Sequence, residues 1–184
     1  MPIYVVLLRG VNVGKAKRVP MAEFKALLLE LGCTSATTLL NSGNAVVDAP
    51  HQLPATLAAK VSAALDGKFG FSVPVVVQPA SELSRIVAEC ELSAHAADPS
   101  HLLVVFSQVP ATLQRLQPIA AMVHEPERWA FGTLAAYLHC AAGILESKAA
   151  DALLGKHGKA ITTRNWATVL KLHALATKCA AERP

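Results

Sequence analysis

The chain has 184 residues, 53% of them hydrophobic and 16% charged, with a formal net charge of +4. A mean hydropathy of +0.39 excludes a disordered chain, and a pI near 9.0 admits anionic partners without the dense basic composition of a dedicated nucleic-acid binder. Aromatic residues make up only 5%, which leaves few platforms for stacking bases.

Ile3-Tyr4-Val5-Val6-Leu7-Leu8 is a continuous apolar run, as expected of a strand buried on both faces. A basic, glycine-punctuated segment follows. Between Leu8 and Met21 stand Gly10, Gly14, Asn12 and the cations Arg9, Lys15, Lys17 and Arg18, with no acid before Glu23. Neither strand nor helix formation needs that composition, so it reads as a loop that meets an anionic or strongly polar partner. Pro20 suits the start of a helix. Phe24, Leu27, Leu28 and Leu31 recur at helical spacing, and Gly32 closes the helix.

Thr37–Leu40 reads as a second strand, Asn41-Ser42-Gly43-Asn44 as a turn, and Ala45–Asp48 as a third strand. Pro54 opens a helix through Phe69, with Leu57, Val61, Ala64 and Leu65 on one face and Gly70 ending it. Ser72–Val77 is a fourth strand, its proline better placed at a sheet edge than in the centre. The order β-α-β-β-α-β is the split-βαβ or ferredoxin-like arrangement. Right-handed crossovers then set the first two strands parallel with the third between them. The loop after strand one and the hairpin after strand two should leave the same end of the sheet, as neighbours.

The second half reads as a related partial repeat. A helix over Ser81–Cys90 and a polar stretch lead to a strand at Leu102–Phe106 and a helix at Ala111–Met122. Two strands, Arg128–Phe131 and Leu134–Cys140, turn at Gly132-Thr133. Helices over Ser147–Leu154 and Thr163–Thr177 finish the chain, the last capped by a threonine. The class is therefore α+β. Its expected division is a ferredoxin-like subdomain at 1–78, a helix and linker at 79–100, and a second α+β subdomain at 101–184.

Several motifs bear on chemistry. Gly10-x-x-x-Gly14-Lys15 falls short of a Walker A loop: it has three residues between the glycines and Ala16 where a hydroxyl should bind Mg²⁺. A looser role survives, in which backbone N–H groups and the next helix N-terminus hold an anion. Its plainer alternative is a solvated loop whose glycines only permit tight turns. Asn41-Ser42-Gly43-Asn44 is explained by turn preference alone, and gains interest only from its expected place beside the first loop. Arg164 and Asn165 could flank an anion at a helix start, or Arg164 could pair with a carboxylate. From Ala152 to Ala181 the charges are all basic: Lys156, Lys159, Arg164, Lys171 and Lys178. Trp166 reads as a core anchor.

Catalytic constellations are thin. His95-x-x-Asp98-x-x-His101 lies in a loop without fixed ligand spacing, and no metal is expected. Ser42 or Cys33 could be a nucleophile, but neither has a base nearby in sequence. Catalytic residues and reaction stay unknown, and no cofactor is expected. Cys33, Cys90, Cys140 and Cys179 form no Cys-x-x-Cys pair, which with the lack of a signal peptide indicates reduced thiols in a cytoplasmic protein. The uncharged run Trp129–Leu145 is shorter than the roughly 20 residues a spanning helix needs, so no membrane is expected.

Leu8-Arg9-Gly10-Val11-Asn12-Val13-Gly14, Val19-Pro20-Met21, Asn41-Ser42-Gly43-Asn44 and Thr162-Thr163-Arg164-Asn165-Trp166-Ala167-Thr168-Val169 together resemble the signature blocks of an uncharacterised bacterial family, domain of unknown function 1697. The resemblance implies two small α/β subdomains in a cytoplasmic protein and no particular activity. Ala16, Ala167 and Leu145-Glu146 depart from its pattern, the last pair standing where the family tends to carry Gly-Arg. The ligand-binding residues expected from the basic loop and these blocks are Arg9, Gly10, Asn12, Gly14, Lys15, Asn41, Ser42, Asn44, Arg164 and Asn165. Their ligand would be a phosphorylated small molecule or a nucleic acid. The alternatives are an enzyme with a cleft between the subdomains, or a protein–protein adaptor.

Overall fold

A computed structural model describes residues 2–14, 16–155 and 158–182. Residues up to Leu83, together with those from Leu172 on, form one compact unit, and Ser84–Lys171 form the other.

The first unit carries β1 (Ile3–Leu8), α1 (Met21–Glu30), β2 (Ser35–Leu39), β3 (Asn44–Asp48), α2 (Pro54–Phe69) and β4 (Val75–Pro79), followed by α3 (Ala80–Ala88). Its sheet has the order β2-β3-β1-β4. Every neighbouring pair is antiparallel, with Val5 opposite Val46 and Gln78, and Thr37 opposite Val46. β1 and β2 thus run parallel with β3 between them, as the sequence order requires. Tyr4, Val6 and Leu8 pack under Phe24, Leu27 and Leu28 of α1 and Leu57, Val61 and Leu65 of α2. The alternate residues Ile3, Val5 and Leu7 are buried as well, so β1 has no solvent face and needs its unbroken apolar run. Pro74 stands just before edge strand β4, where its lack of an N–H breaks no central ladder.

The second unit repeats this plan. β5 (Leu102–Ser107), a 3₁₀ helix (Pro110–Leu116) running into α4 (Gln117–Ala120), β6 (Arg128–Phe131), β7 (Ala135–His139), α5 (Lys148–Leu154) and β8 (Ile161–Asn165) precede α6 (Trp166–Ala181). The sheet order β6-β7-β5-β8 is that of the first unit, again antiparallel throughout. Leu103, Val105, Ala136, Leu138 and Ile161 pack against Leu113, Leu116, Ile119, Ala149, Ala150 and Leu153.

Two sequence readings need correction here. The segment 111–122 is mainly 3₁₀, with only Gln117–Ala120 α-helical. Pro118, inside that span, cannot supply the N–H that an α-turn continuing from 111 would use. The last helix begins at Trp166, because Ile161–Asn165 is strand β8. Its cap is Asn165 rather than a threonine: Asn165 Oδ1 accepts the Thr168 N–H at 2.9 Å. The β-branched run Ile161-Thr162-Thr163 suits the strand that pairs β5 along its second side. Among the described residues no helix is long and apolar enough to cross a membrane.

Candidate functional site

The basic loop and the β2–β3 hairpin meet at one end of the first sheet. Leu8 N–H donates to Gly43 O at 2.8 Å, which ties the end of β1 to the turn. Gly43 has φ +75°, and a Cβ there would lie 2.6 Å from Leu8 Cβ and 2.7 Å from Val11 Cγ2. The turn therefore needs glycine both for conformation and for space.

Asn12 joins the two loops. Its Nδ2 donates to Val19 O at 2.9 Å and to Asn41 O at 2.6 Å, while its Oδ1 accepts the Val19 N–H at 2.9 Å. Its own N–H bonds Lys17 O at 3.0 Å, and its φ of +57° is one that asparagine tolerates better than most residues. Asn44 is fully buried, with Nδ2 donating to Leu39 O at 3.0 Å and Ser42 Oγ at 2.9 Å. Both hydrogens of each amide are thus engaged within the protein. Asn12 and Asn44 set the shape of this end of the sheet, which is a different task from the ligand orientation expected of them.

What faces outward is the rest of the loop. Gly10 and Gly14 are exposed, have positive φ, and would meet nothing within 4 Å on gaining a Cβ. Their requirement is conformational, not steric. Lys17, Arg18, Asn41 and Ser42 are also exposed. Lys17 Nζ donates to Ser72 O at 3.1 Å, which ties one cation to the segment between α2 and β4. Arg9 is half-buried, its N–H bonding Pro74 O at 2.9 Å, and burial lowers its guanidinium pKa from the usual value. Lys15 lies outside the described residues.

Beside this loop lies an open depression of about 370 Å³, lined by Asn12, Arg18, Val19, Pro20, Met21 and Asn41. Its floor includes the start of α1, where Pro20 occupies the N-cap position and no side chain caps the helix. Pro20 has no side-chain acceptor, so the first-turn N–H groups of this helix start lack the usual Ser, Thr, Asp or Asn oxygen. Among the described residues no carboxylate lines the depression. Glu23, in the first turn of α1, is held 3.4 Å from Lys68 Nζ. Sequence reasoning counted Arg18 among the cations of the basic loop but left it, with Pro20 and Met21, out of the ligand set. The missed signal was Val19-Pro20-Met21 itself, a helix start that lacks a capping residue.

Arg164 and Asn165 belong to the second unit. Arg164 is 8% exposed, and its Nη1 donates to Thr162 Oγ1 at 2.9 Å and Thr163 O at 2.7 Å. Burial brings its pKa down to about 10, so the side chain keeps its charge at neutral pH. Asn165 is the cap of α6, so this helix start already has the acceptor that α1 lacks. Cys33, one of the two candidate nucleophiles, is buried. Burial, reinforced by Asp48, raises the Cys33 pKa, and burial takes Cys90 and Cys140 to about 11. These are inert thiols at neutral pH. Asp98 accepts the Ser100 N–H at 2.8 Å and stands 3.6 Å from His101 Nε2. Among the described residues no group of three His, Cys, Asp or Glu side chains could hold a metal ion.

The molecule is thus an α+β protein of two four-stranded antiparallel sheets. It belongs to the family described as protein of unknown function (DUF1697), whose model matches residues 1–137. A solved structure similar to it is that of a conserved bacterial protein, SP0830, from Streptococcus pneumoniae, at 20% identity and TM-score 0.79, covering 95% of this chain and 98% of that one. At that identity the likeness speaks for the fold. No curated protein matches the chain.

Proposed function

We propose that the chain is a binding module for an anionic ligand, held by the loop between β1 and α1 beside the β2–β3 hairpin. The reading rests on one observation above the others. The uncapped start of α1 opens into a depression that Arg18 lines and no carboxylate enters. A helix N-terminus carries a partial positive charge and free donors, so an anion there gains both hydrogen bonds and a favourable field. Arg18 supplies a planar fork for a phosphate or carboxylate. Gly10 and Gly14 keep the backbone accessible, and Arg9, Lys17 and Lys15 add positive potential.

A phosphorylated small molecule suits this place better than a nucleic acid. The depression has the size of a small-ligand site, and none of its lining residues is aromatic. We assign the site to residues 1–78, as a ferredoxin-like subdomain, ahead of a helix and linker at 79–100 and a second α+β subdomain at 101–184. Four free cysteines support a cytoplasmic setting.

The test is a thermal-shift titration with inorganic pyrophosphate, mononucleotides, sugar phosphates and a short oligonucleotide, on the native chain and on Arg18→Ala. Binding to the native state raises Tm by mass action. A concentration-dependent rise for at least one small phosphate, lost in the variant, supports the reading. An unchanged rise in the variant, or no rise with any anion at low salt, contradicts it. A rise confined to the oligonucleotide and falling steeply with salt would transfer the site to nucleic acid.

A further inference from the structure

Strand β6 is an edge of the second sheet, paired among the described residues with β7 alone. Gly132 N–H donates to Ala135 O at 2.8 Å, and the register continues through Ala130 opposite Tyr137 and Arg128 opposite His139. In an antiparallel ladder the hydrogen-bonded pairs alternate. Ala130 and Arg128 therefore bond toward β7, and the N–H and C=O groups of Trp129 and Phe131 point away from the sheet. Among the described residues those outward groups have no partner.

A cleft of about 610 Å³ opens at the same place. Ala130 and Phe131, adjacent residues on opposite faces of the strand, both line it, so it crosses the open edge instead of lying on one face. Its charged lining consists of Glu89 and Glu91, with no cation among the lining residues. Glu89 Oε2 accepts the Thr133 N–H at 3.0 Å, which fixes that carboxylate at the hairpin, and its Oε1 stands 3.9 Å from Arg85 Nη2. Glu91 is exposed. Phe131 and Tyr137 are also among its lining residues.

Edge strand β4, by contrast, is preceded by Pro74 and ends in Pro79, which withhold N–H groups from a further strand. β6 has open amides, two aromatic side chains and an acidic cleft in one place. We propose that β6 is a strand-addition site. An extended peptide segment pairs with Trp129 and Phe131 through main-chain hydrogen bonds, and a Lys or Arg side chain of that segment lodges beside Glu89 and Glu91. Main-chain pairing supplies affinity and the acidic cleft supplies the choice of side chain. The site lies wholly within the second unit and stands or falls apart from the anion site.

The test uses the full chain and fluorescein-labelled hexapeptides that alternate valine with Lys, Arg, Gln or Glu, plus a Lys peptide N-methylated at alternate residues. Fluorescence anisotropy gives binding, and amide hydrogen exchange by NMR gives its location. The Lys and Arg peptides are expected to bind about tenfold or more tightly than the Glu and N-methylated peptides. They should slow exchange at the Trp129 and Phe131 amides, and Glu91→Lys, which sets one cation against Glu89, should abolish the charge preference. Glu91 sits on the surface, so this variant is expected to fold. Equal binding of the N-methylated peptide, binding without protection of Trp129 and Phe131, or no binding of any cationic peptide would each overturn the proposal.

Discussion

The two units build the same sheet and leave its first strand differently. In the first, β1 gives way to the long polar stretch from Arg9 to Pro20, with positive φ at Gly10, Asn12, Gly14 and Lys17, before α1 begins. In the second, β5 is followed by Gln108 and Val109 alone, and the 3₁₀ helix starts at Pro110. The hairpins differ in the same sense. Gly43 is wedged against Leu8 and Val11, whereas Gly132 sits at ordinary φ beside Tyr137 and Glu89. One β-α-β-β-α-β plan thus serves both units, and the difference in polar surface arises in a connection that the sheet merely supports.

The largest expected effect sharpens the hairpin contrast. Gly43→Ala combines a left-handed φ with a clash against a buried strand and should cost on the order of 3 kcal/mol. Gly132→Ala meets Tyr137 Cε2 at 2.9 Å without the φ penalty, and should cost about 1–2 kcal/mol. Urea midpoints of the two variants measure the difference, and equal losses would mean that the turns are not distinct. Asn12→Ala removes the side chain that joins both loops of the first unit. A loss of about 2 kcal/mol is expected by the same measurement, with Asn12→Asp failing to restore it because the two donated bonds go.

In the second unit the corresponding local device is a cap. Asn165→Ala should cost about 1 kcal/mol, and Asn165→Ser should recover most of it. Thermal melts of the three proteins decide this. If Asn165→Ala melts with the native protein, the contrast between a capped α6 and an uncapped α1 loses its energetic meaning.

The buried thiols give a pH dependence. Cys90 and Cys140 ionise near 11 in the folded chain, against about 8.5 for an unperturbed thiol. The folded state then holds more protons over that interval, so their contribution to stability is full below pH 8.5 and is lost as pH rises through 11. Thiol labelling at pH 8 should reach the partly exposed Cys179 first and Cys33, Cys90 and Cys140 only on unfolding. Rapid labelling of all four in the native protein would contradict the assigned burial.

Much of the fold was legible because its elements announce themselves locally. The apolar run of β1, the helical spacing from Phe24 to Leu28, and Gly70 closing α2 at φ 74° all depend on near neighbours. β8 was not legible, since Thr162 and Thr163 cap a helix as plausibly as they fill a strand, and only pairing with β5 decides between them. The meeting of the basic loop and the hairpin followed from chain order and crossover handedness. The fate of Asn12 and Asn44 did not follow. Polar residues in a loop look alike in sequence whether their amides face a ligand or, as here, the protein's own carbonyls.

The most direct test of the central claim compares the two ends in one spectrum. Inorganic pyrophosphate is titrated into ¹⁵N-labelled protein at low salt, and the amide shifts of both units are followed. The account predicts saturable shifts at Gly10, Arg18, Met21 and Ala22, none at Gln108 or Val109, and their loss in Arg18→Ala, a surface change expected to alter stability by less than about 0.5 kcal/mol. Shifts of equal size at both ends, or none near the start of α1, would contradict it.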